Sequence, residues 1–187
     1  MFRSLLRQFS SDRRGVAAVE FALLAPMLLM AYFGLAELTE GLMAKRKVST
    51  VASTIGDLTA QAASTTPSQI SDIFQVGQTL MQPFSTSGTA LTMRISSVTV
   101  DASNTPRVDW SEGQGLAALA KGSTVALPLA SGATGLPFIA AGQSVIMAEA
   151  HYTFTSPIAH YLPATSNLTD TLYMSPRQGA AIACPSC

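Results

Sequence analysis

The sequence predicts an α+β fold in which a long N-terminal helix of the pilin type, beginning in a membrane, precedes a small domain of one helix and an antiparallel sheet. Two observations carry this prediction. The segment Phe21 to Ala36 contains no charged residue. After Thr89, the apolar residues change from helical spacing to a period of two. A chain of 187 residues has room for one domain and an attached segment.

The composition narrows the class of protein. Charged residues make up 12% of the chain, whereas ordinary soluble domains have roughly 25%. This share fits an exported or surface protein better than a cytosolic enzyme. The formal net charge is +0, so no basic field is available to bind nucleic acid, and that class of partner is excluded.

The N-terminal apolar run follows a short basic segment, and it contains one acidic residue. The basic segment ends at Gly15, and Glu20 is the fifth residue after that glycine. With Val16 to Val19 added, the run reaches the roughly 20 residues that cross a bilayer. Placing a carboxylate inside a membrane-spanning helix costs free energy. We therefore interpret Glu20 as a functional residue.

Three interpretations of this segment compete. A secretory signal peptide is disfavoured because the run is long and lacks a clean cleavage site before Glu37. A plain signal anchor explains the hydrophobicity but leaves Glu20 without a role. The third rests on a resemblance: a basic leader, Gly15 and Glu20 together are similar to the processing site of type IV prepilins.

The helix is expected to continue beyond the membrane to about Ala63, a length of roughly 70 Å at 1.5 Å per residue. A stripe of apolar residues at spacings of three and four supports this continuation: Val48, Val51, Ile55, Leu58 and Ala62. Lys45, Arg46, Lys47 and Asp57 can then remain solvated. The alternative is two helices broken near Gly41, because glycine weakens a helix interior. Pro26 predicts a mild kink.

The exported part begins with a second helix. Thr66 can cap it, Pro67 suits its first turn, and it should end near Pro83. The first strand follows Thr89, and its apolar parity switches at Ser96-Ser97. Such a switch indicates either a bulge or a strand that is buried on both faces.

The remaining elements complete the sheet. Val108 and Trp110 predict a partner strand, Leu116 to Ala120 a short helix, and residues 130–142 a loop. The strongest strand is Ser144 to Phe154, with Pro157 at its end. Its even-numbered residues, Ile146 to Phe154, should line one face. A last short strand covers Leu172 to Met174.

Catalysis finds little support in the sequence, and we predict no enzyme, no cofactor and no metal site. His151 and His160 stand in no recognised catalytic spacing, and Glu149 with His151 is interpreted as a solvated or interface pair. Cys184 and Cys187 end the chain. In an oxidising compartment they form either a local disulfide or bridges to a partner.

The chain resembles the TadE-like family, minor pilins or pseudopilins of the Tad (Flp) tight-adherence pilus. The residues that carry the resemblance are RRGVAAVEFALLAPMLLMAYFGLAEL at 13–38, GQSVIMAEAHYTFTSP at 142–157 and SPRQG at 175–179. The resemblance implies cleavage between Gly15 and Val16 by an inner-membrane prepilin peptidase. Glu20, next to Phe21, is then expected to pair with the freed α-amine of Val16 on a neighbouring subunit.

The resemblance also implies an organisation and a set of partners. Residues 1–15 are the leader, 16–63 the helix (transmembrane over 16–36), and 64–187 the exported domain. The expected partners are other minor and major Flp pilins, the inner-membrane assembly platform and the lipid bilayer. The N-terminus would be cytoplasmic, and the domain periplasmic or extracellular in the pilus, serving attachment and biofilm formation.

Two further hypotheses remain open beside the minor pilin. One is a membrane-anchored periplasmic binding module or adhesin that never enters a filament. The other, ranked lowest, is an exported enzyme. The mature N-terminus separates the first two, because a processed pilin begins at Val16 and an unprocessed anchor at Met1.

Overall fold

The computed structural model describes residues 15–128, 138–156, 165–179 and 181–187. It confirms the α+β prediction: a long apolar helix precedes a small domain with a helix and a four-stranded antiparallel sheet. The elements, in chain order, are α1 (Val16–Ala60), α2 (Pro67–Leu80), β1 (Leu91–Val100), β2 (Pro106–Gln114), β3 (Ser144–Thr155) and β4 (Thr165–Met174).

Helix α1 is a single helix of 45 residues, about 67 Å long at 1.5 Å per residue. It contains Pro26 and continues through Gly41, so the alternative of two helices broken near Gly41 is wrong. The domain packs on α1 on both sides of this glycine, with Glu37 buried before it and Ala44 and Val48 fully buried after it. This burial outweighs the roughly 1 kcal/mol that a glycine costs inside a helix.

The buried stripe of α1 differs from the predicted one at a single turn. Val48, Val51 and Ile55 are fully buried as expected, but Leu58 is 37% exposed. Thr59 takes its place at 0% exposure, and its hydroxyl donates to the carbonyl of Ile55. A spacing of four after Ile55 continues the buried face, and the local hydrogen bond makes the hydroxyl compatible with burial.

Helix α2 begins as the sequence predicts. Thr66 accepts a hydrogen bond from the Gln69 amide, the Gln69 side chain accepts one from the Thr66 amide, and Pro67 occupies the first turn. The helix ends at Leu80, and a turn leads on to Pro83. Helix α2 packs closely, since a Cβ on Gly77 would lie 2.6 Å from the Met93 sulfur on β1.

The four strands have the order β2-β1-β3-β4, and every neighbouring pair is antiparallel. The connection from β2 to β3 therefore crosses β1. Strand β3 ends at Thr155, one residue beyond the predicted end, and its even-numbered residues face the helices as expected. Strand β4 begins at Thr165, well before the predicted Leu172, because it pairs with β3 along almost its full length. Pro157 and most of the predicted 130–142 loop lie outside the described residues.

Burial on both faces, the second of the two predicted explanations, accounts for the apolar parity switch, whereas the bulge lies in the partner strand β2 and not in β1. Strand β1 is buried on both faces, with Leu91, Met93 and Ile95 in the core beneath the helices and Val98 and Val100 in a second core on the opposite face. The bulge lies in β2, where Ser97 pairs with Trp110 but Val98 pairs with Val108. The extra residue turns Trp110 toward the helices and Val108 away from them.

The segment that follows β2 covers this second core. It contains no helix over residues 116–120, so that prediction is wrong. Tertiary contacts fix an irregular path instead. The Ala117 carbonyl accepts from Arg94, Leu119 packs on the second core, and the Gly122 amide donates to the carbonyl of Val108. These contacts outweigh the helix propensity of a short alanine-rich stretch.

Candidate functional site

The N-terminal half of α1 is apolar on all sides and packs against no other described element. Between Val16 and Phe33 every residue is exposed except the half-exposed Ala25. By length and composition, α1 is a helix that could cross a membrane, and none of its most apolar window is buried. The single N-terminal apolar helix is compatible with a single-pass membrane anchor. An apolar surface of this size on a folded protein marks a membrane or protein interaction site.

The bond between Gly15 and Val16 lies at the open end of this helix. Gly15 is the N-cap, and no side chain caps the helix there. Its carbonyl accepts from the Val19 amide at 3.1 Å. Gly15 is exposed, and a Cβ built on it would find no heavy atom within 4 Å. The described residues therefore leave both sides of this peptide bond open.

The structure brings the four predicted N-terminal residues together on the first two turns of α1. Glu20 lies one turn above Val16 on the same helix face, because residues four apart are neighbours on a helix. Glu20 is exposed, and Phe21 beside it is 68% exposed. None of the ion pairs formed among the described residues includes Glu20. Its carboxylate therefore faces outward from an apolar helix surface.

A second acid on α1 is in the opposite situation. Glu37 is 0% exposed and accepts a hydrogen bond from the hydroxyl of Ser156, just after β3. In the sequence, Glu37 marks only the end of the apolar run, and no pattern points to Ser156. No local pattern could have linked the two, since they are 119 residues apart.

The basic residues that follow the apolar half tie α1 to the domain. Lys45 donates to the Thr169 carbonyl and lies 3.9 Å from the Asp170 carboxylate, and Lys47 donates to the Leu80 carbonyl at 3.0 Å. Both lysines are half-buried rather than solvated as predicted. Arg46, between them on the outer side of the helix, is exposed.

The C-terminal segment lies at the other end of α1, far along the chain from Gly15. Cys184 and Cys187 are joined in a disulfide. The preceding residues bind both layers of the domain: the Trp110 indole donates to the Ile182 carbonyl at 2.6 Å, and the Thr65 amide to the Ala183 carbonyl at 2.9 Å. The disulfide thus lies at the end of a segment whose hydrogen bonds connect the chain after α1 to strand β2 of the sheet.

Asp57 remains in contact with water, as predicted, but it also binds the chain that follows β4. It accepts hydrogen bonds from Arg177 and from Gln61. The hydrogen bond from Arg177 lowers the pKa of the Asp57 carboxyl below its usual value of 3.8. The contact joins α1 to the chain that follows β4, although both groups remain accessible to water.

The ionisable groups on the sheet form a structural pair. Glu149 is 9% exposed and accepts two hydrogen bonds from Arg94, at 2.6 and 2.9 Å. The interpretation of Glu149 as a solvated partner of His151 is therefore wrong, because Arg94 on the neighbouring strand takes the carboxylate. His160 lies outside the described residues. In the part of the chain that the structure describes, no three potential ligands are grouped to hold a metal ion.

A comparison with known families agrees with this geometry. The family model described as TadE-like protein matches residues 15–56, which is less than a quarter of the chain. No curated protein and no solved structure matches the chain. The matched segment begins at the N-cap of α1 and ends at Gly56, where the helix packs on the sheet. Residues 15–56 are therefore similar to the TadE-like family, and the matched range contains part of the N-terminal motif that carried the resemblance in the sequence.

Proposed function

We propose that this chain is a minor pilin, or pseudopilin, that takes part in assembly, initiation or tip formation of a Tad (Flp) pilus. One observation carries the proposal: the TadE-like segment presents an apolar, uncovered half-helix with a single outward carboxylate at Glu20. The other half of the same helix holds a folded domain. A subunit built in this way can dock other helices without disturbing its own fold.

The first step would be removal of the leader, residues 1–15, by a prepilin peptidase. The open geometry at Gly15 and Val16 supports this step, because a protease must reach the bond from both sides. Cleavage would create an α-amine on Val16, at the positive end of the α1 dipole. That end carries a cationic amine only after the leader has gone.

The second step would be docking through Glu20. Apolar helices have no hydrophobic drive to associate within lipid, so packing and buried polar pairs must supply the energy. Glu20 is the one acidic residue between Gly15 and Glu37, and it is uncovered in the single chain. Pairing with the Val16 amine of a neighbouring pilin would neutralise both charges and set the axial register.

The proposal places α1 across the inner membrane with its N-terminus in the cytoplasm, and the domain in the periplasm or, within the pilus, outside the cell. Major and minor Flp pilins, the inner-membrane assembly platform and the bilayer are the partners. Four strands and α2 beyond the main helix make this chain larger than a helix-only subunit, which supports a minor component.

The test compares two glutamates of α1. Glu20→Ala should be processed and inserted normally but should fail to enter sheared pili, because the buried pair is lost. Glu40→Ala is the matched control, since Glu40 is also exposed on α1 but lies beyond the charge-free run. The readouts are the mass of the subunit and its share in the pilus and membrane fractions. Normal incorporation of Glu20→Ala would contradict the docking role, and absence of the wild-type chain from pili would favour a membrane-anchored binding module or adhesin.

A further inference from the structure

The exposed apolar surface of α1 does not end with the charge-free run at Ala36. Leu38 is 47% exposed, Leu42 62% and Met43 47%. At Ala44 the exposure stops abruptly, because that residue and Val48 are fully buried against the domain. Two helical turns of apolar surface therefore lie between the expected end of the membrane span and the packed half.

Two grooves flank α1 at this level, where the domain meets the helix. The first is lined mainly by apolar groups, including Leu38, Leu42, Phe154 and Leu168. The second lies on the other side of the helix and includes Met43, Phe84, Tyr152 and Phe154. Phe84 makes edge-to-face contacts with both Tyr152 and Phe154, at centroid distances of 6.2 and 6.3 Å.

Helix length relates these grooves to the bilayer. A hydrocarbon core needs about 20 helical residues. If Glu20 lies at the cytoplasmic boundary, 20 residues counted from Phe21 end at about Glu40. The headgroup layer adds about 5–7 Å on each side, which is about four more residues of helix. Leu42 and Met43 then lie within the headgroup layer on the exported side.

The polar groups of α1 near the headgroup layer are either hydrogen-bonded or exposed. Glu37 would fall inside the hydrocarbon boundary, but the domain buries it completely and Ser156 donates a hydrogen bond to it. The Thr39 hydroxyl is satisfied by the Leu35 carbonyl at 2.7 Å. Glu40 and Arg46 are exposed, and both would lie among charged headgroups, where such side chains are tolerated.

We propose that the domain rests on the bilayer through a membrane rim formed by Leu38, Leu42, Met43 and Phe84. The rim lies in the headgroup and upper acyl region of the leaflet on the exported side, and lipid chains fill the two grooves. The inference rests on the proposed membrane anchoring of α1 and adds the depth of the domain. Phe84 is half-buried and contributes apolar surface at this level, whereas Phe154 is buried and lies at the base of both grooves.

Lipid fits these grooves better than a second copy of the chain does. Both grooves adjoin the apolar half of α1, so the same lipid that surrounds Leu29 and Phe33 reaches Leu38 and Leu42 without interruption. A neighbouring subunit would have to displace that lipid at both sides of the helix. Glu40, between Leu38 and Leu42, is exposed and lines the second groove, where its carboxylate can reach the headgroup layer.

Spin labels on the full chain in vesicles of phosphatidylcholine and phosphatidylglycerol test the depth. The two native cysteines are joined, so one introduced cysteine supplies the only free thiol. Leu28→Cys, Leu42→Cys and Leu58→Cys replace three exposed leucines of α1, within the span, on the rim and beyond it. Collision of each label with oxygen, which concentrates in lipid, is compared with collision with a water-soluble nickel complex.

We expect the oxygen-to-nickel collision ratio at position 42 to lie between those at 28 and 58 and to exceed that at 58 several-fold. A ratio at 42 equal to that at 58, with 28 still protected, would overturn the rim but leave the anchor intact. A label at 42 shielded from both reagents would show that protein, not lipid, fills the groove, and would also overturn the proposal. Nickel access at 28 would overturn the anchoring itself and the rim with it.

Discussion

The two halves of α1 have the same backbone but opposite surroundings. Residues 16–43 expose apolar side chains on nearly every side, whereas residues 44–60 bury one face against the sheet and α2. Gly56 shows how close that packing is, since a Cβ there would lie 3.0 Å from the Ala148 Cβ. The packed half is amphipathic and is stabilised by its own domain. The apolar side chains of the uncovered half are exposed in the single chain, so this half requires lipid or another protein to cover it.

Two of the acids on the helix, Glu20 and Glu37, repeat this difference. Glu37 is covered by the chain's own Ser156, but Glu20 faces outward from an apolar surface. A buried carboxylate must be paired or hydrogen-bonded, and Glu37 meets that requirement internally. No ion pair among the described residues includes Glu20, so within the membrane its carboxylate would need a further partner. Glu37 therefore stabilises the fold, whereas Glu20 is the acid to which we assign the proposed role in assembly.

The largest expected effect comes from truncating the two halves in turn. Ile55→Ala should lower the free energy of unfolding by about 2–5 kcal/mol, because it leaves a cavity in the core. Leu28→Ala should change it by less than about 0.5 kcal/mol, because the side chain is exposed. Denaturation in detergent, followed by the fluorescence of the only tryptophan, Trp110, measures both. Equal losses of unfolding free energy in the two variants would contradict the difference in packing between the two halves.

A smaller effect is expected at the charge pair on the sheet. Glu149→Gln should cost about 1.5–3 kcal/mol, because it removes charge-assisted hydrogen bonds from the largely buried Arg94. The double variant Arg94→Leu with Glu149→Leu should recover much of that loss, since no unpaired charge remains. The same denaturation assay applies. A double variant as unstable as the sum of the single Arg94→Leu and Glu149→Leu changes would contradict this explanation.

The smallest effect is expected at the exposed contact between Asp57 and Arg177. Because folding lowers the Asp57 pKa, the contact stabilises the fold above the usual value of 3.8, and this contribution is lost as the pH falls through the lowered pKa. The stability difference between wild type and Asp57→Asn should therefore be present near neutrality and vanish in acid. Arg177→Gln should abolish this pH dependence. A difference that persists in acid would contradict the assignment.

Much of the fold could be predicted because it depends on local patterns. The spacing of Val48, Val51 and Ile55 indicated the packed face, and Thr66 with Pro67 marked the start of α2. The apolar parity of β1 indicated its burial on both faces. The N-terminal residues Gly15 and Glu20 were identifiable because a basic leader and an apolar run frame them. All of these signals lie within a few residues of the feature they predict.

The errors arose where distant contacts decide the structure. Glu37 is buried by Ser156 and Glu149 is taken by Arg94, and neither pairing has a local signal. Residues 116–120 have helix propensity, but contacts with the sheet hold them in an irregular path. Val108 and Trp110 are two residues apart, a spacing that normally places side chains on the same face of a strand. The sequence did not indicate that a bulge turns them to opposite faces.

The mass of the mature chain, purified from cells that make the pilus, tests the central claim most directly. The account predicts a subunit that begins at Val16, because the uncovered half of α1 becomes assembly-competent only when the leader is removed. The same measurement on Glu20→Ala should find the same N-terminus. A chain that begins at Met1 in assembled pili would contradict the account, because Val16 would then have no free α-amine to pair with Glu20.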